Sequence, residues 1–298
     1  MEQTQSSTAK TPPSASGGPG PKSGLTATNE AGWVARLVDA VRLYCRYIGV
    51  SLRAQMQYKT SFWMLSFTQF IASGSAFIGM WVLFTRFGSL RGWSMPEVAL
   101  FYGVINVSFA FADSFGRGFD VFSNQIKSGD FDRVLLRPRS LALQIGAQEL
   151  LLTRIGRFTQ AGLVLGWALH TLPLTWTIYK VLFLTATIAG GAALFYGLYV
   201  LQATMSFWTI DSLELMNILT YGGTEIGQYP LTIYRAGFRW FFTFVVPIAC
   251  VNFIPIRAVL QASPAGFVYL APLAGWLFLA VALQIWRLGV RKYTSTGS

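Results

Sequence analysis

The sequence contains few residues of the types that catalyse reactions. His170 is the single histidine among 298 residues, and the two cysteines are Cys45 and Cys250. The chain has no pair of histidines at helical spacing, no Cys-x-x-Cys and no Gly-x-Ser-x-Gly motif, so it offers neither a metal site nor an activated serine. We therefore expect no catalytic residue, no bound metal and no disulfide.

The closest approach to a nucleotide-binding loop is the glycine-rich segment at residues 17–23. Pro21 precedes Lys22 there, and residues 1–30 are rich in Ser, Thr, Pro and Gly. A phosphate-binding loop requires a strand before it and a helix after it, and this composition favours neither. We therefore expect residues 1–30 to be a disordered tail, and the chain to bind no ATP by this route.

Six long apolar stretches dominate the sequence, and each is long enough to cross a hydrocarbon core that takes about 20 helical residues. Hydrophobic residues make up 53% of the chain and charged residues 12%, whereas soluble domains carry about twice that charged fraction. Apolar runs such as residues 182–184 are continuous, which is not the alternation of a transmembrane β-barrel. We predict an all-α membrane protein with six transmembrane helices, at residues 61–85, 97–115, 143–169, 178–206, 240–258 and 266–286.

Positive charges are distributed unevenly between these stretches. Four of the 23 Lys and Arg residues fall in alternate connections, and 17 fall in segments 36–59, 117–157, 235–239 and 287–292. Positive residues are retained in the cytoplasm during membrane insertion. Both termini, the 116–142 loop and the 207–239 loop are therefore predicted to be cytoplasmic. The basic residues behind the formal charge of +11 thus mark the cytoplasmic segments of a membrane protein, and we expect no nucleic-acid partner.

Residues 33–53 have the pattern of an amphipathic helix. At 100° per residue, apolar side chains from Trp33 to Leu52 occupy one arc of about 140°. A basic arc opposite an aromatic and aliphatic arc is typical of a helix that lies in the membrane interface. The alternative, a helix packed on a soluble domain, lacks a soluble domain of sufficient size. The basic arc carries Arg36, Arg42, Arg46 and Arg53.

The loop after the second predicted span has the pattern of a docking element. A turn at Gly129 separates two short helical segments, and the second ends before Pro138 because proline disfavours helix at the preceding residue. In a solvated connector, which is the alternative, the apolar residues of these segments would be exposed to water. We therefore interpret the segment as a surface that docks on another protein. Its apolar residues are Phe119, Phe122, Ile126 and Phe131.

Ionisable residues are scarce within the predicted spans. Asp113 lies in the last turn of the second span and Glu149 near the start of the third, and both can reach the cytoplasmic interface. One function to consider for a chain with several spans is that of an ion-coupled secondary carrier. Such a carrier usually needs carboxylates deeper within its spans and two repeated halves. An intramembrane lipid-modifying enzyme would need clustered His, Asp or Glu at one membrane face. The scarcity favours transport powered from outside this chain.

The order of these features resembles the permease subunits of bacterial type 2 ABC exporters. Residues 129–138 are similar to the G-x-x-D-x-x-L-x-R-P stretch of one branch of that family, and Glu225, Tyr229 with Pro230, and Pro255 are similar to later motifs. The resemblance covers residues 33–290. It implies an ATP-driven export permease in the bacterial plasma membrane, and the aromatic-rich, uncharged interior of the chain would suit an amphiphilic or hydrophobic substrate.

The resemblance also implies the partners and the domain boundaries. Separate ABC ATPase subunits would carry ATP and Mg, a second permease of the same or a different chain would complete the pore, and lipid would surround both. The permease domain would be residues 31–292, followed by a tail at 293–298. The implied ATPase-coupling residues are Phe119, Asp120, Phe122, Ile126, Lys127, Gly129, Asp130, Phe131, Asp132, Arg133, Arg137 and Pro138.

The second and fifth spans would line the pore between the two permeases, according to the same resemblance. Tyr102, Asn106 and Asp113 follow one another at roughly helical spacing on the second span. We therefore take these three residues as candidates for the pore lining.

Overall fold

A computed structural model describes residues 32–137, 140–209, 213–261 and 266–293. The regular structure in these ranges is helical and includes no β-strand, which confirms the all-α fold class. The α-helices are α1 (Gly32–Gln57), α2 (Lys59–Phe87), α3 (Met95–Asp120), α4 (Phe122–Ser128), α5 (Asp130–Leu135), α6 (Leu141–Gln148), α7 (Ile155–Thr171), α8 (Ile178–Met205), α9 (Leu213–Gly227), α10 (Ala236–Phe244), α11 (Ile254–Leu260) and α12 (Leu273–Lys292).

Four helical segments in the described ranges are long and apolar enough to cross a membrane. They are Lys59–Phe87, Met95–Ser128, Ile178–Met205 and Gly266–Lys292. A fifth is obtained if the bent pair Ala236–Phe244 and Ala249–Leu260 is counted as one span. Helices α7 and α9 are shorter, with 17 and 15 residues. These lengths and compositions indicate a chain that crosses the membrane several times.

The predicted fifth span, residues 240–258, is not one straight helix. Helix α10 ends at Phe244, a π-helical turn covers Ala249–Phe253, and the two halves are bent by 82°. Pro247 lies in the break, where it offers no backbone N–H for a helical hydrogen bond. Residues 240–258 are therefore two helical segments, which form either a broken span or a re-entrant loop. Pro247 accounts for the break.

Helix α9 carries the chain from one end of the packed helices to the other. We call the end with residues 88–94 the outer end and the end with residues 121–137 the inner end. The ring of Tyr221 in α9 lies 5.5 Å from that of Phe109, well inside α3. Beyond α9, Thr232 Oγ1 accepts a hydrogen bond of 3.1 Å from the Trp93 indole, so Thr232 lies at the outer end.

The position of Thr232 corrects the predicted topology. Residues 207–239 were expected to lie together on the side of the 116–142 loop, and this is wrong at least for the segment around Thr232. Arg91, which the sequence placed on the opposite side, donates a hydrogen bond of 2.8 Å to the Thr232 carbonyl. The reason is that α9 is short and carries Glu214 and Glu225, so its composition is typical of a polar connection.

Helix α3 lies at the centre of the helix packing. In its most apolar window 83% of the residues are buried, compared with 11% in α2. At its start the Ser94 amide donates a hydrogen bond of 2.7 Å to the Glu97 carboxylate, and Pro96 occupies the first turn. A carboxylate that caps the first amides and a proline in the first turn both favour a helix start. Helix α3 is therefore fixed at its outer end by its own sequence.

Helix α7 approaches α2 closely at Gly156. A Cβ atom at this position would lie 1.7 Å from the Ser66 carbonyl oxygen, so the contact requires glycine. The Gly162-x-x-x-Gly166 spacing also predicts close helix packing. In the described part of the chain, however, nothing lies within 4 Å of a Cβ atom built on either glycine. Close packing within this chain thus occurs at Gly156 and not at the spaced pair.

We predict that Gly156→Ala destabilises the protein and that Gly162→Ala does not. The added methyl group at Gly156 forces α7 away from α2, and overpacking of this kind costs about 1–3 kcal/mol. The free energy of unfolding in mixed detergent micelles measures the difference, and Gly162→Ala in the same helix is the matched control. Equal stability of the two variants would contradict the observed helix contact.

We predict that cysteines placed at residues 90 and 232 react with a membrane-impermeant reagent from the same side of the membrane. A cysteine at residue 127 should react from the opposite side, because α3 separates it from residue 90. Labelling of intact and of opened cells, in a background without Cys45 and Cys250, measures the accessibility. Labelling of residue 232 together with residue 127 would restore the topology predicted from charge.

Candidate functional site

A buried row of polar side chains joins α3 to α7. The two helices are antiparallel, so the residues pair in reverse order along them: Tyr102 with Gln160, Asn106 with Arg157, and Asp113 with Arg154. On α3 the spacing is four and seven residues. Arg154, in the turn before α7, is followed at intervals of three residues by Arg157 and Gln160 in α7, which keeps each set on one face. The two apolar helices are therefore held together by specific polar contacts.

Asp113 connects three helices. Its Oδ2 atom lies 2.6 Å from Arg154 Nε in the turn before α7, and its Oδ1 atom accepts a hydrogen bond of 3.2 Å from the Tyr199 hydroxyl in α8. The Asp113 side chain is 1% exposed and that of Arg154 is 17% exposed. A carboxylate so far from water is stable only with such partners.

Arg157 is held without a carboxylate at salt-bridge distance in the described residues. Its Nε and Nη2 atoms donate hydrogen bonds of 3.2 and 2.9 Å to Asn106 Oδ1. Its guanidinium carbon lies 4.3 Å from the ring centroid of Phe109, in the geometry of a cation–π contact. An amide oxygen and an aromatic face thus stabilise this cation among apolar helices.

The three residues predicted to line a pore are buried inside this chain. Tyr102, Asn106 and Asp113 have at most 1% exposure, and the Tyr102 hydroxyl lies 3.0 Å from Gln160 Oε1. In this conformation they therefore face no open path within the chain, and their role as a pore lining stays a prediction. They hold α3 against α7, because polar groups within apolar helices pair with one another before they face lipid.

The sequence analysis missed the α7 side of this row. Arg154 and Arg157 lie within the predicted third span but were counted only as positive charges of segment 117–157, whereas both side chains pack against α3. The signal that could have revealed them is the spacing of Arg154, Arg157 and Gln160, three residues apart within an otherwise apolar stretch.

The second candidate site is the loop at residues 121–137 with its helices α4 and α5. The apolar residues that were expected to be exposed here are buried: Phe122 and Phe131 have 0% exposure, Phe119 has 1% and Ile126 has 5%. The argument that these side chains would be exposed unless another protein covered them is therefore wrong. Residues of the same chain cover them.

The side chains that cover the loop form a group that we call the aromatic clamp. It joins the end of α3, the loop, the turn after α8 and the C-terminal end of α12 with the residue that follows it. Its members are Phe119, Phe122, Phe131, Phe207, Trp286 and Tyr293. The ring centroids of Phe122 and Phe131, Phe122 and Trp286, and Phe131 and Tyr293 are each 5.0 Å apart. Aromatic pairs in such geometry contribute about 0.5–1.5 kcal/mol each beyond the buried area.

Polar contacts strengthen the clamp at both of its edges. The Tyr293 hydroxyl donates a hydrogen bond of 3.1 Å to Asp132, and burial together with this bond raises the pKa of Tyr293. Asp120 forms an ion pair with Arg117 and accepts a hydrogen bond of 2.8 Å from Gln202 in α8. The predicted coupling residues Asp120 and Asp132 therefore make contacts within the chain.

The remaining predicted coupling residues form an exposed polar tip. Gly129 has φ of 74°, a left-handed conformation that favours glycine, and it separates α4 from α5. Asp130 lies 3.6 Å from Arg133, and their side chains are 57% and 84% exposed. Pro138 lies outside the described residues. The exposed polar residues, which we call the loop tip, are Asn124, Lys127, Ser128, Asp130, Arg133 and Arg137.

The predicted interfacial helix corresponds to α1, which is helical from Gly32 to Gln57. Arg42, Arg46 and Arg53 are exposed. Trp33 and Arg36 lie in this helix, but their side chains are outside the described part. Its location at the membrane surface stays a prediction.

Comparison with known families identifies one match. A family model described as ABC-2 family transporter protein matches residues 70–297. The matched range begins within α2 and includes both the polar row and the aromatic clamp. Searches of curated proteins and of solved structures gave no match.

We predict that Asp113→Ala lowers the free energy of unfolding by about 3–5 kcal/mol, because it leaves Arg154 buried without its charge partner. The matched control is Asp130→Ala, which breaks an exposed ion pair and should cost at most about 1 kcal/mol. Denaturation by SDS in mixed micelles measures both values.

The double variant Asp113→Asn with Arg154→Gln tests the physical reason. It removes both charges and keeps hydrogen-bonding groups, so it should be more stable than Asp113→Ala. A double variant that is as unstable as Asp113→Ala would show that the charge pair is not the cause.

Proposed function

Because the match over residues 70–297 shows that this chain belongs to the ABC-2 family of transporter proteins, we propose that it is the permease subunit of an ATP-driven exporter. The substrate is amphiphilic or hydrophobic, and a separate ATPase subunit supplies the energy. The family match is the observation that carries this proposal, and it favours an ABC permease over a secondary carrier. The apolar helices support the membrane location.

We propose six membrane crossings, formed by α2, α3, α6 with α7, α8, α9 and α12. Helix α9 replaces residues 240–258 as the fifth crossing, because Tyr221 packs on Phe109 and the chain reaches Thr232 at the outer end. Its 15 residues span about 22 Å, and the residues at its two ends complete the crossing. Helices α10 and α11, bent by 82°, then enter and leave the membrane from the outer end.

The inner end is the cytoplasmic end in this proposal. Arg287, Arg291 and Lys292 lie at the end of α12, and Lys127 and Arg133 lie on the loop between α3 and α6. Retention of positive residues in the cytoplasm favours this orientation. The protein is then a multi-pass protein of the bacterial plasma membrane with both termini inside, and α1 lies along the cytoplasmic interface.

The ATPase subunit docks on the loop tip in this proposal. The tip carries Lys127, Arg133 and Arg137 beside Asp130, all exposed, so a partner with complementary charges can bind it. The aromatic clamp lies behind the tip and connects it to α3, α8 and α12. Motion of the tip on ATP binding is therefore transmitted to three helices at once. ATP and Mg stay on the ATPase.

The translocation path follows an exposed stripe of α9, between this permease and a second one. Glu214, Ile218, Tyr221 and Glu225 are all exposed and lie three or four residues apart. The Tyr221 ring packs edge-to-face with that of Phe109, inside α3, so Glu225, one turn farther along α9, lies within the membrane. A carboxylate facing lipid there costs at least ~2.5–3.5 kcal/mol. Water or a second permease therefore covers this stripe in the proposed complex.

We predict that the double variant Lys127→Glu with Arg133→Glu loses its ATPase. Charge reversal at a docking surface weakens binding at least about fivefold. The amount of ATPase that co-purifies with the tagged chain, when it is expressed with its genetic neighbours, measures the effect. Arg86→Glu with Arg257→Glu is the matched control, because it makes the same charge change away from the loop tip.

Two outcomes would argue against this proposal. In the first, the chain holds no ATPase subunit from its genetic neighbourhood under any condition. In the second, the loop-tip variant and the control retain equal amounts of ATPase. Phe122→Asp is not a suitable probe of docking, because Phe122 is buried in the aromatic clamp and its substitution disturbs the fold.

A further inference from the structure

A basic crevice lies at the inner end between α6 and α12. Its volume is about 410 Å³, and its lining includes Ser140, Leu283, Trp286, Arg287, Val290 and Arg291. Leu283 and Val290 form apolar walls, and the two arginines lie one helical turn apart on α12. The crevice therefore combines apolar walls with two positively charged side chains.

The two arginines of this crevice have guanidinium N–H groups that form no ion pair within the described residues. Among the described residues, no carboxylate oxygen lies within 4.0 Å of Arg287 or Arg291. Arg287 Nη1 donates a hydrogen bond of 3.2 Å to Gln284 Oε1. Each guanidinium group carries five N–H donors in a planar arrangement that fits phosphate oxygens. An anion with several oxygens can therefore bind both arginines at once.

An apolar groove lies on the same side of α12, closer to the outer end. Its volume is about 520 Å³, and it is lined by Trp276 and Leu279 of α12, by Phe111 and Phe115 of α3, and by Ala189 and Ala192 of α8. Leu279 lines the groove and Leu283, one turn later, lines the basic crevice. Leu279 and Arg287 are eight residues apart, which is about 12 Å along a helix.

We propose that the crevice and the groove together bind an anionic phospholipid of the surrounding membrane. The phosphate lies between Arg287 and Arg291, and an acyl chain extends along α12 into the groove. Charge complementarity selects this occupant. A zwitterionic lipid carries the same phosphate together with a cation, which two arginines repel, and a soluble anion leaves the groove empty. Basic pockets at the cytoplasmic ends of transmembrane helices are suited to such headgroups.

Binding to the purified full-length chain in detergent tests the headgroup half of the proposal. Phosphatidylglycerol should raise the unfolding temperature, whereas phosphatidylcholine with the same acyl chains and inorganic phosphate alone should not. Arg291→Gln and Arg287→Gln should each weaken the effect of phosphatidylglycerol about five- to tenfold in concentration. Lys292→Gln is the matched control, because it removes the same charge next to Arg291 outside the crevice lining, and it should change the effect less than twofold.

The groove is tested with lipids of different chain length. Ala189→Leu fills the groove, so it should weaken stabilisation by long-chain phosphatidylglycerol and leave the effect of the dihexanoyl form unchanged. Ala186→Leu is the control, because Ala186 is an exposed residue on the same helix that does not line the groove. This arm detects the acyl chain independently of the arginine variants.

Three results would overturn the proposal. Equal stabilisation by phosphatidylcholine would show that charge is not recognised. Equal stabilisation by inorganic phosphate would make the site one for a soluble anion. Equal loss of affinity in Arg291→Gln and Lys292→Gln would reduce the effect to net charge. None of these measurements involves the ATPase or transport, so their outcome is separate from that of the proposed function.

Discussion

The buried carboxylate of Asp113 holds three helices of this protein together. It contacts Arg154 before α7 and the hydroxyl of Tyr199 in α8. An unpaired charge within a low-dielectric interior is strongly unfavourable, so these helices cannot separate one at a time without a large loss of stability. Asn106 and Arg157 add a second polar contact between α3 and α7, closer to the outer end. We infer that α3, α7 and α8 move as one body whenever the chain changes conformation.

The aromatic clamp extends this body to the inner end of the chain. Phe119 belongs to the last turn of α3, and its ring contacts Trp286 of α12 at 5.4 Å. The loop tip therefore does not hang freely from α3. It is attached through Phe122 and Phe131 to helices that reach the outer end. In the proposed permease, a tip that is fixed to several helices transmits displacement efficiently, whereas a flexible loop would absorb it.

Some of this architecture could be predicted from the sequence, and some depends on contacts between distant residues. The apolar runs of α2 and α8 predicted their helices because each run is long enough to be buried or to cross lipid without help. Phe122 and Phe131 were interpreted as docked on another protein, since the rings of this chain that cover them, such as Trp286, come from much later in the sequence. Helix α9 was missed because Glu225 makes it resemble a loop.

The polar residues of α3 show that one spacing can serve two different structural roles. Tyr102 and Asn106 have the spacing expected of a lining, but the same spacing also serves to pair them with α7. A pattern on one helix cannot distinguish a neighbouring helix from water. Arg157 illustrates the converse, because a charge that was counted toward the cytoplasmic side is stable in the interior once Asn106 and Phe109 surround it.

The contrast between α2 and α3 has an evolutionary consequence. Only 11% of the most apolar window of α2 is buried by the rest of the chain, compared with 83% in α3. Most positions of α2 therefore need only remain apolar, and relatives can exchange one aliphatic residue for another there with little loss of stability. Positions in α3 must match neighbours in shape and polarity on all sides. Amino-acid substitutions between relatives should thus accumulate quickly along α2 and slowly along α3.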